Sequence, residues 1–367
     1  MSILPIYFIG QCLALDEHPS FRETIIAQFS DPGYDWNNFI WTCSNHLVLP
    51  VIYMKFRKYD LLGYLPEVLA QHLEDIYTLN RTRNGQILLQ MKEINATLNK
   101  AGIYPIYLKG TGNLIDGIYS DIGERIIGDI DLLVQDDDYF KAIDLAKDLG
   151  YVNYWGEPLK PAKRKHYPRL YKNNVPADLE IHRLPVSQKY TAHFSADLVN
   201  KSKKIVADYP GCYALSDDNK IILNFIHSQL ANAGHTFGFV SLRDIYDLYC
   251  FSRRIDLEQI THVSPYRHKY NAYVDITCKL LGLPITDKPT LTSKVFIWKH
   301  DLNINSTLFN NVSRISYAIS GFVFTVVPMK LKEFFYYKEA RQIMFRKMRT
   351  KKWYINRLTI YKKMITG

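Results

Sequence analysis

The run Gly128-Asp129-Ile130-Asp131-Leu132-Leu133-Val134 constrains this chain more than any other stretch. It is short, apolar and β-branched at several positions, which predicts a strand, and a strand sends alternate side chains to one face. Asp129 and Asp131 therefore point the same way. Two carboxylates side by side repel one another unless a cation sits between them, and oxygen ligands of this kind suit Mg²⁺ or Mn²⁺. The same string also fits a strand end with two solvated aspartates, because Asp-x-Asp is common.

The segment before it narrows the choice. Ile106 to Leu108 is another short apolar strand, broken at Gly110 and Gly112 ahead of a helix-like run from Asn113 to Tyr119. Glycines at a strand-to-helix junction let backbone N–H groups approach an anion, and the helix start adds partial positive charge. Lys109 can supply a point charge and Thr111 a hydroxyl. An ordinary glycine turn is the plain alternative.

With 367 residues, of which 47% are hydrophobic, the chain can bury large cores, and its length favours two or three domains. Residues 1–100 read as mostly helical, with helices over Pro19 to Ser30 and Trp36 to Tyr59. A third, from Pro66 to Lys100, is ended by Gly102 and carries apolar residues partly at threes and fours, among them Leu69, Leu73, Leu79, Leu89, Met91 and Leu98. This region is expected to pack as a helical layer on the rest. From Ile103 to Leu184 strand and helix alternate. Asp136-Asp137-Asp138 reads as the N-terminus of a helix over Tyr139 to Leu149, closed by Gly150. An extended piece follows at Tyr151 to Tyr154, then a basic loop from Lys160 to Lys165. Strands at His166 to Tyr171 and Val175 to Leu184 are joined by the turn Lys172-Asn173-Asn174.

On the second of those strands Asp178, Glu180 and His182 alternate and share a face. A third carboxylate there completes a metal site with Asp129 and Asp131 if the two strands are neighbours, with Glu180 placed ahead of Asp178. His182 can orient Glu180 or touch an acceptor, or it is a histidine hydrogen-bonded at a sheet edge. His166 is similar, and Lys163, Arg164, Lys165 and Arg169 around it either receive phosphate or form a solvated basic loop.

The order Leu108-Lys109-Gly110, then Arg125, then Asp129 to Val134, then Glu180-Ile181-His182 resembles the uncharacterised nucleotidyltransferase family of the DNA polymerase beta-like nucleotidyltransferase superfamily. The resemblance extends more weakly to His46 to Pro50 and to Leu223 to Tyr249, about two thirds of the chain. Members are often associated with bacterial surface-polysaccharide and natural-product gene clusters. The resemblance implies an α+β fold, a small mixed β-sheet nucleotidyltransferase core with flanking helices, embedded between N-terminal and C-terminal helical regions. The expected boundaries are 1–102, 103–205, 206–300 and 301–367.

By the same resemblance Asp129, Asp131 and Glu180 are the catalytic metal ligands, and Gly110 and Thr111 the triphosphate-binding turn. Thr111 stands where serine or glycine is commoner, and Glu180 where aspartate is. Two Mg²⁺ or Mn²⁺ ions about 3.5 to 4 Å apart serve an in-line displacement at the α-phosphorus of an NTP. Lys109 and Arg125 are the candidates for the nucleotide phosphates, with Arg125 in an expected loop where it can equally be an exposed structural arginine. The acceptor is a small molecule or sugar phosphate, an RNA end or a protein hydroxyl. A glycosyltransferase whose Asp-x-Asp holds a metal and a nucleotide sugar is a second reading, and a non-catalytic nucleic-acid- or membrane-binding protein a third.

Helices are expected over Asn219 to Phe251, broken at Ala233-Gly234-His235 and Gly238, and over Tyr270 to Gly282. Arg243, Asp244 and Asp247 are spaced for local pairing. The chain carries 46 Lys plus Arg against 36 Asp plus Glu, and its excess of +10 is concentrated from Lys330 to Lys363. Cations interleaved with aromatic residues there suit RNA, an anionic membrane surface or an acidic partner, and also a packed helix with a solvated face. Five scattered cysteines suggest neither a zinc site nor a disulfide framework. With no secretory pattern and no run long enough to span a bilayer, a cytoplasmic location is expected.

Overall fold

The computed structural model describes residues 5–153, 165–260, 263–284 and 289–321, and beyond them positions 323, 327, 328, 335 and 341. The expected basic loop at 160–164 and almost all of the basic segment from 329 to 365 lie outside the described residues. The chain divides into two compact units, one of residues 1–232 and 240–293, the other of residues 233–239 and 294–367.

The first unit opens with helices α1 (Pro5–Leu13), α2 (Phe21–Phe29), α3 (Trp36–Asn45) and α4 (Leu49–Lys58). The single helix expected over Trp36 to Tyr59 is two, because Leu47 between them adopts φ 56° and no right-handed helix can run through that backbone. Phe8, Phe29, Tyr34, Phe39 and Phe56 meet edge-on or stacked and close this layer.

Helix α5 (Glu67–Lys100) is the unbroken 34-residue helix expected, and Gly102 beyond it takes φ 82°. Its buried stripe differs from a purely apolar one. Leu79 and Leu89 are exposed, whereas Asn80, Asn84 and Gln90 are buried among Leu73, Tyr77, Ile87 and Met91. Buried amides need partners, and the amide nitrogens of these find them. Asn80 and Asn84 donate to the carbonyls of Ile122, Gly123 and Arg125, Arg83 to those of Ile127, Gly128 and Pro176, and Gln90 to Ala177. One helix thereby grips the backbone leading into two separate strands.

Those strands sit in a seven-stranded mixed sheet. In chain order its strands are β1 (Ile106–Tyr107), β2 (Asp129–Leu133), β3 (Val152–Asn153), β4 (Leu170–Tyr171), β5 (Asp178–His182), β6 (Lys204–Ile205) and β7 (Tyr213–Ala214). Across the sheet they run β3-β4-β5-β2-β1-β7-β6. The fold is α+β, as expected. At the centre β2 and β5 run parallel, while β1 lies antiparallel to β2. Ile130, Leu132, Leu179 and Ile181 are fully buried, and Leu132, Leu179 and Ile181 meet Ile94 and Leu98 of α5 and Ala142 and Leu145 of α7 (Tyr139–Asp148, following α6). Because the side-chain period is two, a one-residue slip of either strand would drive its carboxylates into this apolar layer.

Helix α6 (Lys109–Ile115) starts four residues earlier than expected, so the two glycines lie within its first turn. Gly112 is required there: a Cβ would stand 2.2 Å from the Tyr107 carbonyl oxygen, far inside contact distance. After the short α8 (Ala196–Lys201), α9 (Asp217–Phe225) runs into a π-helical turn over Ile226–Ala231. Helices α10 (Gly234–Phe237), α11 (Leu242–Ser252), α12 (Arg267–Leu281), α13 (Leu291–Asn305) and α14 (Thr307–Gly321) complete the described α-helices. In the second unit α10 and the start of its following loop are held by His300 and Asn303 of α13 on the carbonyls of Gly238 and Phe237. Among the described residues no helix is long and apolar enough to cross a membrane.

Candidate active site

The parallel register of β2 and β5 pairs Asp129 with Asp178, Asp131 with Glu180 and Leu133 with His182. Residues opposite one another in a parallel pair share a face, so five polar side chains gather on the side of the sheet away from α5 and α7. Asp131, Glu180 and His182 each offer one ligand atom, all within 4.8 Å of one another. His182 Nε2 lies 2.9 Å from Asp131 Oδ1 and 3.5 Å from Glu180 Oε2. Asp129 stands one strand repeat away at the more open end.

Two cations close on this cluster. Lys109, in the first turn of α6 with φ 48°, places Nζ 2.6 Å from Asp131 Oδ1. Arg169, just before β4, donates Nη2 to Asp129 Oδ2 at 2.8 Å and to Glu180 Oε1 at 3.0 Å, with Nη1 3.8 Å from Asp178. Of the four basic residues around His166, Arg169 is thus tied to the carboxylates. Thr111 is buried, and its hydroxyl donates to the Asp129 carbonyl at 3.3 Å, linking α6 to β2.

The electrostatics follow from this crowding. Burial works against the charge of Asp131, but Lys109 and the hydrogen bond from His182 overcome it and hold the carboxyl far below the usual range. Glu180 is likewise opposed by burial yet lowered to about 2, chiefly by the His182 hydrogen bond. Asp129 moves the other way, raised by burial and by Asp131. Lys165 is pushed down to about 8 by burial and by Lys109.

Lys109 also lines an adjacent open cleft, together with Asn113, Lys220, His227, Arg243 and Phe251. His227, on the π-helical turn, is lowered to about 4 by burial and by Lys109 and Lys165. Its imidazole is therefore neutral at ordinary pH.

Arg125, expected as a phosphate ligand or an exposed arginine, is buried and reaches the cleft wall. Its Nε and Nη2 donate to the two oxygens of Asp247 at 2.8 Å each. Asp247 also accepts from Tyr119 at 2.8 Å, so its partners are remote in sequence rather than its neighbours on α11. Burial disfavours the Arg125 charge, but Asp247 more than restores it.

Sequence reasoning did not pick out His227, Lys220 or the α5 amides. A signal for the amides was present: polar residues at 80 and 84 continue the stripe of Leu73, Tyr77, Ile87 and Met91 at helical spacing. His227 and Lys220 carry no such local mark.

A mixed sheet with carboxylates on two adjacent central strands, a glycine-containing helix start beside them and helices on both sides defines an α+β protein built around an acidic, cation-lined centre. Within that class the chain is a member of the uncharacterised nucleotidyltransferase family, which matches residues 32–264 and so spans helices α3 to α11 and the whole sheet. No curated protein and no solved structure gives a significant match.

Proposed function

We propose that this nucleotidyltransferase family member moves an NMP unit from an NTP to an acceptor hydroxyl or phosphate and releases pyrophosphate, with Asp129, Asp131 and Glu180 as its catalytic metal ligands. The observation that carries this reading is the β2–β5 register, which sets Asp131 beside Glu180 and next to Lys109. The donor set fits a hard divalent ion. Asp131 and Glu180 stay ionised despite burial, and carboxylate oxygens are what Mg²⁺ and Mn²⁺ prefer. Such ions, when bound, would neutralise charge on the phosphates and polarise the acceptor oxygen.

The chain's own groups supply the rest. The first turn of α6 leaves the N–H groups of Gly110 and Thr111 without intrahelical partners, free for triphosphate oxygens. Lys109 exchanges Asp131 for a phosphate oxygen when the nucleotide enters. Arg125 adds positive charge at the cleft wall while its guanidinium stays on Asp247. The acceptor oxygen, a hydroxyl acceptor giving up its proton to solvent, forms a bond to the α-phosphorus as the bond to the bridging oxygen of pyrophosphate breaks. Glu180, lowered to about 2, is a weak base, which favours a ligand role over proton abstraction. An Asp-x-Asp glycosyltransferase would leave Lys109 and Glu180 without a task.

Calorimetric titration with α,β-methylene NTP analogues tests the binding half of this reading. Binding should require Mg²⁺ or Mn²⁺ and disappear in Asp129→Asn and Asp131→Asn. Metal-independent binding that survives both substitutions would count against it.

A further inference from the structure

Asp129, Asp131 and Glu180 are all oxygen donors, yet the side chain pressed most closely between the two buried carboxylates is an imidazole. We infer that His182 supplies a nitrogen ligand to an ion shared with Asp131 and Glu180, so that this position takes a first-row transition ion such as Mn²⁺ in preference to Mg²⁺. The inference rests on the proposed metal-dependent reading and specifies its ligand set.

The geometry suits a common ion. Two neighbouring ligands of an octahedral ion at about 2.1 Å lie about 3 Å apart, and His182 Nε2 is 2.9 Å from Asp131 Oδ1 and 3.5 Å from Glu180 Oε2. The ring is held in place before any ion arrives. His182 is wholly buried, its carbonyl accepts from Val134 N at 3.0 Å, its backbone bridges to His166, and the two imidazoles lie 4.9 Å apart. Among the described residues Asp131, Glu180 and the Lys109 ammonium that shares Asp131 Oδ1 face it with charge, and Arg169 lies behind on Glu180 Oε1.

The rest of the ring sharpens the chemistry. Nδ1 of His182 is buried with no hydrogen-bond partner among the described residues. Among the described residues the polar contacts of the ring are with the two carboxylates. Without an ion the ring donates Nε2–H to Asp131; to bind an ion through Nε2 the neutral ring must carry its proton on Nδ1 instead. Mg²⁺ gains little from replacing a water oxygen by imidazole nitrogen, whereas affinity for such a site rises along the first row from Mn²⁺ onward. A site with this donor set discriminates against the harder ion.

Pulsed electron paramagnetic resonance on the full chain loaded with Mn²⁺, without nucleotide, reads the ligand atom directly. The echo envelope should show modulation from directly bound ¹⁴N, replaced by the ¹⁵N pattern in protein labelled with [¹⁵N]histidine, a comparison that needs no substitution. His182→Asn should abolish the modulation and weaken Mn²⁺ binding more than Mg²⁺ binding in competition. His166→Phe should keep the modulation. Mn²⁺ bound without nitrogen coupling, or coupling that persists in His182→Asn, overturns the assignment and leaves the carboxylate site standing. Failure of the wild-type chain to bind Mn²⁺ at all overturns both.

Discussion

Breaking the Arg125–Asp247 pair should be among the most damaging single changes in the first unit. Both partners are nearly inaccessible, with side-chain exposures of 9% and 6%, and their two hydrogen bonds measure 2.8 Å each. Asp247→Ala leaves a guanidinium buried without a counter-ion, which costs about 3–5 kcal/mol. It also strips Tyr119 of its acceptor, worth about 1 kcal/mol more. The double variant Arg125→Met/Asp247→Leu removes both charges, so it should recover a large part of that loss and give a coupling of at least about 2 kcal/mol in the cycle. Urea unfolding of the full chain followed by circular dichroism measures each corner, with the midpoint shifting and the slope unchanged. The same proteins separate structure from binding. If Arg125 only adds charge at the cleft wall, Arg125→Met in a folded background weakens an NTP analogue less than Lys109→Met does. An Asp247→Ala loss below about 1 kcal/mol, or strictly additive effects, would refute the reasoning.

His227 gives a pH signature of its own. With its folded pKa depressed from 6.5 to about 4, the unfolded chain binds the extra proton first, so stability falls as pH drops through that window, by up to about 3 kcal/mol. His227→Phe should flatten stability between pH 6.5 and 4 in acid titrations, and an unchanged slope would exclude the effect. Glu180, lowered from 4.5 to about 2, contributes stability that is lost as pH falls from about 4.5 to about 2, below most of the His227 window. Gly112→Ala must displace α6 from β1 by about 1 Å to relieve its 2.2 Å contact and should cost about 1–3 kcal/mol or more. A change of less than about 0.5 kcal/mol in its unfolding midpoint would show that α6 is not pinned there.

The parts of the fold legible in the sequence are those written in local periodicity. The long α5, the strands β2 and β5 with their alternating carboxylates, α7, and the stops at Gly102 and Gly282 all carry such a pattern. What the sequence left open is non-local. Whether Glu180 lies beside Asp131 depends on strand order and register, and the structure shows that it does. Arg125 finds its counter-ion 122 residues away, so its neighbours in sequence gave no hint of its burial. Two-residue strands such as β6 and β7 are too short to show alternation, and the split between α3 and α4 turns on one positive φ at Leu47. Leu79 and Leu89 look like core residues until Asn80 and Asn84 claim the inner face, where carbonyls of the loop before β2 await them.

The most direct test of the account follows the α-phosphate. The full chain is incubated with each NTP labelled at the α- or the γ-phosphorus, with Mn²⁺ or Mg²⁺ and a small-molecule extract, RNA or protein as acceptor. Nucleotidyl transfer predicts that α-label enters an acceptor, that γ-label leaves as pyrophosphate, and that Asp131→Asn abolishes both. Transfer of the γ-label to an acceptor, or α-label transfer that persists in Asp131→Asn, would contradict it.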